Sequence, residues 1–165
     1  MNIFVLDKDF RKCARYHCDK HVVKMILESA QILCTVSNLM GLTTPYRSTH
    51  IKHLCVKWAM QSIQNWCWLR RLASALNEEF KFRFGHKDNH KAYTIIENLE
   101  EPPLPNIGLT EHPQAMPDIY KAPGNPVQAY RNYYVAMKRP FATWKRRRQP
   151  KWYLDMIGKK KWLKI

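Results

Sequence analysis

Apolar residues recur every three to four positions through two long stretches of this chain, and nowhere do apolar and polar residues alternate as in a half-buried strand. Between His17 and Val36 the residues Val22, Val23, Ile26, Leu27, Ala30 and Leu33 hold the helical period, with Asp19 placed as a cap or first-turn acid. After Gly41 and Pro45, Thr49 can cap a second periodic stretch running through Ile51, Leu54, Trp58, Trp66, Leu69, Leu72, Leu76, Phe80 and Phe84. That stretch is one helix, or two with a break near Gln61–Asn65. A shorter helix is expected over Asn89–Asn98. Ile3 to Leu6 form an apolar run too brief to separate a strand from a buried extended segment. With 165 residues and no internal repeat, the expectation is one mainly α, compact helical domain spanning 1–165.

Residues 100–126 hold seven of the ten prolines, so they should form a long irregular loop packed along the surface. Within it, Gln114-Ala115-Met116-Pro117 could shape a pocket. Asn125-Pro126 reads as a cap followed by a first-turn proline, opening a helix to about Lys138. At helical spacing two of its tyrosines, Tyr130, Tyr133 and Tyr134, must face the core, which leaves Arg131 and one tyrosine outside.

Charge narrows the partners. Lysine and arginine outnumber acids by 28 to 13, and residues 138–165 alone carry eleven basic groups and one acid. A field so concentrated attracts polyanions. The apolar residues among these charges are Trp and Tyr rather than a Leu/Ile stripe, which favours nucleic acid over an anionic membrane. The expected partner is DNA, with no membrane, bound by a monomer. The start MNIFVLDKDF has neither the charged lead nor the apolar stretch of a signal peptide, and no run of about 18 apolar residues stands out for a membrane span, so a cytoplasmic protein is expected. Five cysteines, an odd number, read as free thiols: Cys13, Cys18, Cys34, Cys55 and Cys67. Cys13, His17, Cys18 and His21, with His50 and His53, match no common zinc spacing, and no metal is expected. Gly85-His86-Lys87-Asp88-Asn89-His90 reads as a turn before a helix rather than a nuclease loop. Only five glycines and no phosphate-binding loop argue against a nucleotide cofactor, and none is expected.

Two groups of residues can carry chemistry. His17, His21, Lys24, Glu28, Gln31 and Thr35 follow one another at steps of three and four, forming a narrow polar line on the first long helix. It is either a solvated face with a Lys24–Glu28 pair or the wall of a cleft whose apolar flanks are both buried. In the tail, Lys145, Arg146, Arg147, Arg148 and Lys151 suit phosphates, while Trp144, Trp152, Tyr153 and Trp162 offer flat faces for unpaired bases. The alternative is a solvated basic end whose aromatics pack on the core, as Trp144 in particular could.

Asp19-Lys20-His21 with Glu28 seven residues beyond the histidine resembles the D-x-H-x₆-E arrangement of the phage pyrimidine-dimer DNA glycosylases, the endonuclease V family. Pro150-Lys151-Trp152-Tyr153 followed by Gly158-Lys159 is similar to the close of the same proteins, with one extra residue before the glycine. The likeness covers about 40 residues at the two ends. It implies a helical glycosylase and AP lyase that flips a nucleotide, attacks C1′ of the sugar with an amine and passes through an imine, in the cytosol of a bacterial host. Glu28 would then stabilise the positive sugar and move protons, with His21 one face-step away for hydrogen bonding or phosphate contact. Lys20, Arg146, Arg147, Arg148, Lys151, Trp152, Tyr153, Lys159 and Lys160 would hold the DNA. Leu27 and Gln31 stand where the family has basic residues, and Lys20 and Lys24 bring charge from the other side. The family's nucleophile is the α-amine exposed once the initiator methionine is removed. Here residue 2 is Asn2, which is bulky for that removal, so the candidates are the amine of Met1, that of Asn2, or Lys24. Two readings compete on the same scaffold: a transferase that decorates a modified phage thymine, and a nonenzymatic DNA-binding protein.

Overall fold

A computed structural model describes the backbone of residues 1–161 and side chains through residue 158. Seven α-helices make up its regular structure: α1 (Phe10–Tyr16), α2 (Asp19–Leu39), α3 (Leu54–Gln61), α4 (Ile63–Phe84), α5 (Lys91–Ile96), α6 (Pro126–Met137) and α7 (Lys151–Lys161). Among the described residues there is no strand. The long helices α2 and α4 form the central pair; α1 and α3 pack on α4, and α3 and α5 on α2. Their shared core takes Ile26, Leu33, Trp66, Leu69 and Leu76, all fully buried. It is completed by the extended segment Ile3–Leu6, which joins no sheet. The backbone of that segment is satisfied by side chains instead: Leu6 donates its N–H to Cys13 Sγ (3.3 Å), and its carbonyl accepts from Arg131 Nε (3.0 Å).

The second periodic stretch is two helices, because Ser62 is extended (φ −152°, ψ 155°) and its hydroxyl accepts the Asn65 N–H as the cap of α4. The Pro-rich loop fills the break. Ile63 N–H donates to the Pro105 carbonyl at 2.9 Å, Ser62 Oγ donates to the Gly108 carbonyl at 2.8 Å, and the buried Asn65 amide is paired with Thr110 through both its groups. Residues 100–126 are irregular except for one short turn at Asp118–Tyr120. As expected, Asn125 caps α6 with Pro126 in the first turn, Tyr130 and Tyr134 are buried, and Tyr133 and Arg131 are half-buried.

Several local expectations give way. The helix α1 has no apolar periodicity and buries only Cys13 and Ala14, so the sequence does not announce it. Asp19, by contrast, takes one of its two expected places as the first-turn acid of α2, with Cys18 as the cap residue. Thr49 caps nothing: its N–H donates to Thr35 Oγ1 on α2, and His50 beside it has φ 50°, a left-handed conformation that cannot begin a helix. The helix α3 starts five residues later, with His53 Nδ1 accepting the Cys55 N–H at 3.1 Å. Ile51 and Leu54, placed in that periodic stretch, stand before or at the start of α3 and are exposed. The polar line on α2 is not flanked by burial on both sides, since Val23 and Leu27 are open to solvent. By length and hydropathy α2 could also cross a membrane, contrary to the expectation that no stretch could, although 67% of that window is buried inside the fold.

Candidate functional site

Starting from α2, the polar line divides. His17 and Thr35 are fully buried, His21 is 5% exposed, Glu28 lies near the surface at 7%, and Lys24 is open. Glu28 is where the chain's first residues arrive. Its Oε2 accepts the Asn2 backbone N–H at 2.8 Å and lies 3.8 Å from the Met1 α-amine, while Lys24 Nζ stands 3.3 Å from Oε1. A carboxylate held by three nitrogens is fixed in place and charge-matched.

Asn2 is held from every side. Its amide N–H₂ donates to the Ala115 carbonyl (2.9 Å), and its Oδ1 accepts from the Ile3 N–H (2.7 Å) and the Tyr130 hydroxyl (2.9 Å). The Gln114–Met116 region thus closes over the N-terminal residues. Gln114 itself bridges the loop, exchanging two hydrogen bonds with Ala122. Cys55, with its thiol 3.8 Å from Asn2 Oδ1, brings the start of α3 to the same place. Burial pushes that thiol up to about 12, which makes it a packing group rather than a nucleophile. His53 lies beside it. Partial burial, then the N-terminal charge and His50, hold its imidazole below the usual range, while Glu28 acts in the opposite sense. Because Nδ1 accepts from Cys55, Nε2 carries the proton. In the sequence this histidine stands out only as half of a His50-x₂-His53 pair without a metal spacing.

His21 does not stand ready for a phosphate. It stacks on Phe4 with centroids 4.4 Å apart, against the edges of Tyr134 and Phe141. Burial first, and then His17 and the lysines Lys138, Lys24 and Lys20, push its imidazole down to about 3, so it is neutral. The role expected for it in phosphate contact is replaced by one in packing.

The basic C-terminal segment is latched onto the N-terminal end of α2. The Asp19 carboxylate accepts from Thr143 Oγ1 (2.8 Å), from the Lys145 N–H and from Arg83, while the Asp19 N–H donates to the Thr143 carbonyl (2.8 Å). Arg83 is fully buried, its guanidinium reaching Glu79, Asp19 and the carbonyls of His17 and Arg15. Glu79 is in turn paired through both oxygens with Arg147 at 3.0 and 2.7 Å. Burial opposes the charge on Glu79, but hydrogen bonds from Arg147 and Arg83 outweigh it and keep the carboxyl below its ordinary range.

This latch revises the expected DNA contacts. Arg147 is committed to Glu79 and stacked on Phe82, 4.2 Å from the ring centroid. Tyr153 is buried against Trp144 (4.8 Å) and presents no free face to a base, while the half-buried Trp152 packs edge-on to Tyr16 and Tyr134 with Arg131 over its ring. Trp144 is buried and donates to the Tyr16 carbonyl. Lys151 is exposed and paired with Asp155 at 2.9 Å. Arg148 is exposed; Arg146 is exposed too, with φ 57° and a hydrogen bond to the Phe82 carbonyl. Lys20 is exposed over the Phe141 ring. Lys159, Lys160 and Trp162 lie outside the described side chains. All five cysteines are free thiols, four of them buried, and no cluster of His, Cys, Asp and Glu suited to a metal is formed among the described residues. No protein family, curated protein or solved structure matches the chain.

Proposed function

We propose that the protein is a DNA glycosylase with amine-dependent lyase activity toward damaged or modified pyrimidines. One observation carries this reading: the nitrogens of the first two residues are held on a nearly buried carboxylate, Glu28. With Met1 retained, its α-amine is 3.8 Å from Glu28 Oε2; with Met1 removed, the Asn2 nitrogen at 2.8 Å becomes the α-amine. Either amine sits where one carboxylate can take its proton. Such an amine, once neutral, attacks C1′ of a flipped nucleotide and the base departs with its bonding electrons. The base leaves with the proton that Glu28 took from the ammonium, Glu28 then accepts the second amine proton, and it returns that proton to O4′ as the C1′–O4′ bond breaks and the nitrogen lone pair closes the protonated imine. Removal of the C2′ proton then expels the 3′ phosphate. Lys24, 65% exposed, supplies charge beside Glu28 and suits a backbone phosphate better than it suits nucleophilic attack.

Borohydride trapping on an abasic duplex tests the amine, because hydride converts the imine into a stable secondary amine joining protein to DNA. The expected result is a covalent adduct whose attachment mass spectrometry places at residue 1 or 2, lost on acetylating the N-terminus. Glu28→Gln should abolish turnover with DNA affinity near that of the wild type. Intact binding with no adduct would overturn the mechanism in favour of a base-modifying transferase or a nonenzymatic binding protein.

A further inference from the structure

One groove of the molecule shares no residue with the Glu28 site. It has a volume of about 780 Å³ and lies between α1 and α4. Arg11 and Arg15, one turn apart on α1, face a row on α4 that begins with Arg71 and ends at Phe82 beneath Arg147. The wall carries two carboxylates and both are engaged, Glu79 by Arg83 and Arg147, and Glu78 by Lys81 at 2.8 Å. Among the described residues no carboxylate pairs with Arg11, Arg15 or Arg71. Three guanidiniums line one groove with no carboxylate paired to any of them, and an anion lodged there would relieve their mutual repulsion. The floor is also rigid. The Arg15 carbonyl is held by Arg83, and the Arg147 guanidinium is held over Phe82 by its two bonds to Glu79. Arg11 lies over Phe10 in the same way, 5.3 Å from the ring centroid.

We infer that this groove is a phosphate-binding site for a nucleotide unit, phosphate on Arg11, Arg15 and Arg71 and the flat group against the Arg147–Phe82 stack. Forked guanidiniums match phosphate oxygens, and the partly exposed aromatic surface distinguishes a nucleotide from an acidic peptide. The eleven residue steps from Arg71 to Phe82 span about 16 Å of helix, longer than the rise between successive phosphates of a strand. The phosphate belongs either to a DNA backbone, which extends the proposed DNA-binding reading, or to a free nucleotide, which is independent of it.

The test compares the wild type, Arg11→Gln/Arg15→Gln/Arg71→Gln, and a charge-matched control, Lys52→Gln/Lys57→Gln/Lys91→Gln, with inorganic pyrophosphate, thymidine 5′-monophosphate, poly-glutamate and a short undamaged duplex. If the duplex is the source, three lost phosphate contacts make the triple arginine variant's affinity fall about 40-fold less than the wild type's between about 50 and 200 mM salt. If a free nucleotide is the source, monophosphate and pyrophosphate binding disappear and duplex affinity is unchanged. No change with any probe, equal losses in the lysine control, or poly-glutamate binding as tightly as pyrophosphate would each overturn the assignment. Should the variant not fold, the arginine Nε–H resonances of the wild-type protein decide: those of Arg11, Arg15 and Arg71 shift with pyrophosphate, or the site is not there. Failure here leaves borohydride trapping at the N-terminus untouched.

Discussion

Three buried histidines make acid the most revealing perturbation of this fold. His17 Nδ1 donates to the Cys13 carbonyl at 2.7 Å, which leaves a bare Nε2 with no partner, and burial, with Arg83 adding to it, holds the imidazole down to about 4. His112, stacked on Trp58 with Lys8 near it, is also held to about 4, chiefly by burial, and its Nε2 is likewise unpartnered. His21, facing His17, Lys138, Lys24 and Lys20, is lower still at about 3. In the unfolded chain each titrates near 6.5. Above that pH both states are neutral and the full stability is present. As pH falls below 6.5 the unfolded chain binds protons that the folded one refuses, so stability is lost until the folded values are reached. By pH 5 the loss is about 2 kcal/mol per imidazole, about 6 kcal/mol together. That is comparable with the whole stability of an ordinary domain, about 5–15 kcal/mol. Carboxylates do not confuse the window, because the contribution of Glu79, depressed from 4.5, is lost only at lower pH. Urea unfolding followed by tryptophan fluorescence should show a midpoint nearly constant from pH 8 to 7 and collapsing between 6 and 5. His112→Phe, which keeps the stack on Trp58, should recover about a third of the loss. A midpoint that does not move between pH 7 and 5, or three imidazoles titrating near 6.5 by NMR, would refute the reasoning.

Other outcomes follow from the latch and from the site. Arg83→Met removes the buried cation shared by Glu79 and Asp19 and leaves the His17 and Arg15 carbonyls without that donor, which should cost about 3–5 kcal/mol in thermal or urea unfolding even though Glu79 keeps Arg147 and Asp19 keeps Thr143; a loss under about 1 kcal/mol would mean the latch is not a unit. Arg146→Gln/Arg148→Gln should lower the slope of log affinity for DNA against log salt by about 1.8 with little change in melting temperature, whereas Arg147→Gln should destabilise the fold more than it weakens binding. His53→Asn keeps a side chain able to cap α3 and should preserve stability in urea unfolding, whereas His53→Ala should lose about 1 kcal/mol; equal losses in the two variants would mean the cap is not what His53 contributes.

Much of the fold is legible along the chain because it is written in local rules. Helices α2 and α4 follow from the spacing of Val22, Ile26, Leu33, Leu69 and Leu76, and Asn125-Pro126 marks the start of α6 by its cap. The proline-rich loop follows from missing backbone donors. The Lys24–Glu28 pair follows from i,i+4 spacing. What local rules omit is which polar group meets which across the fold. The basic run 145–148 reads as uniform charge, yet Arg147 differs from its neighbours because Glu79, 68 residues away, lies beneath it. Tyr153 reads as an aromatic among charges, and only the packing of α7 on Trp144 takes it out of reach. Nothing near Glu28 in sequence says that residues 1 and 2 end there; that depends on the loop at Ala115 and on Tyr130 closing over Asn2.

The sequence by itself, then, determines a basic helical domain and the side chains available to it, since periodicity, caps and net charge act between near neighbours. The tertiary structure alone decides which charges remain free. A buried guanidinium or carboxylate must find its partner wherever the fold places one, so Arg83, Glu79 and Arg147 are used up in holding the molecule together. Arg11, Arg15 and Arg71, in a groove whose carboxylates are engaged elsewhere, the exposed Arg146 and Arg148, and the first two residues against Glu28 are among the groups left to meet something else.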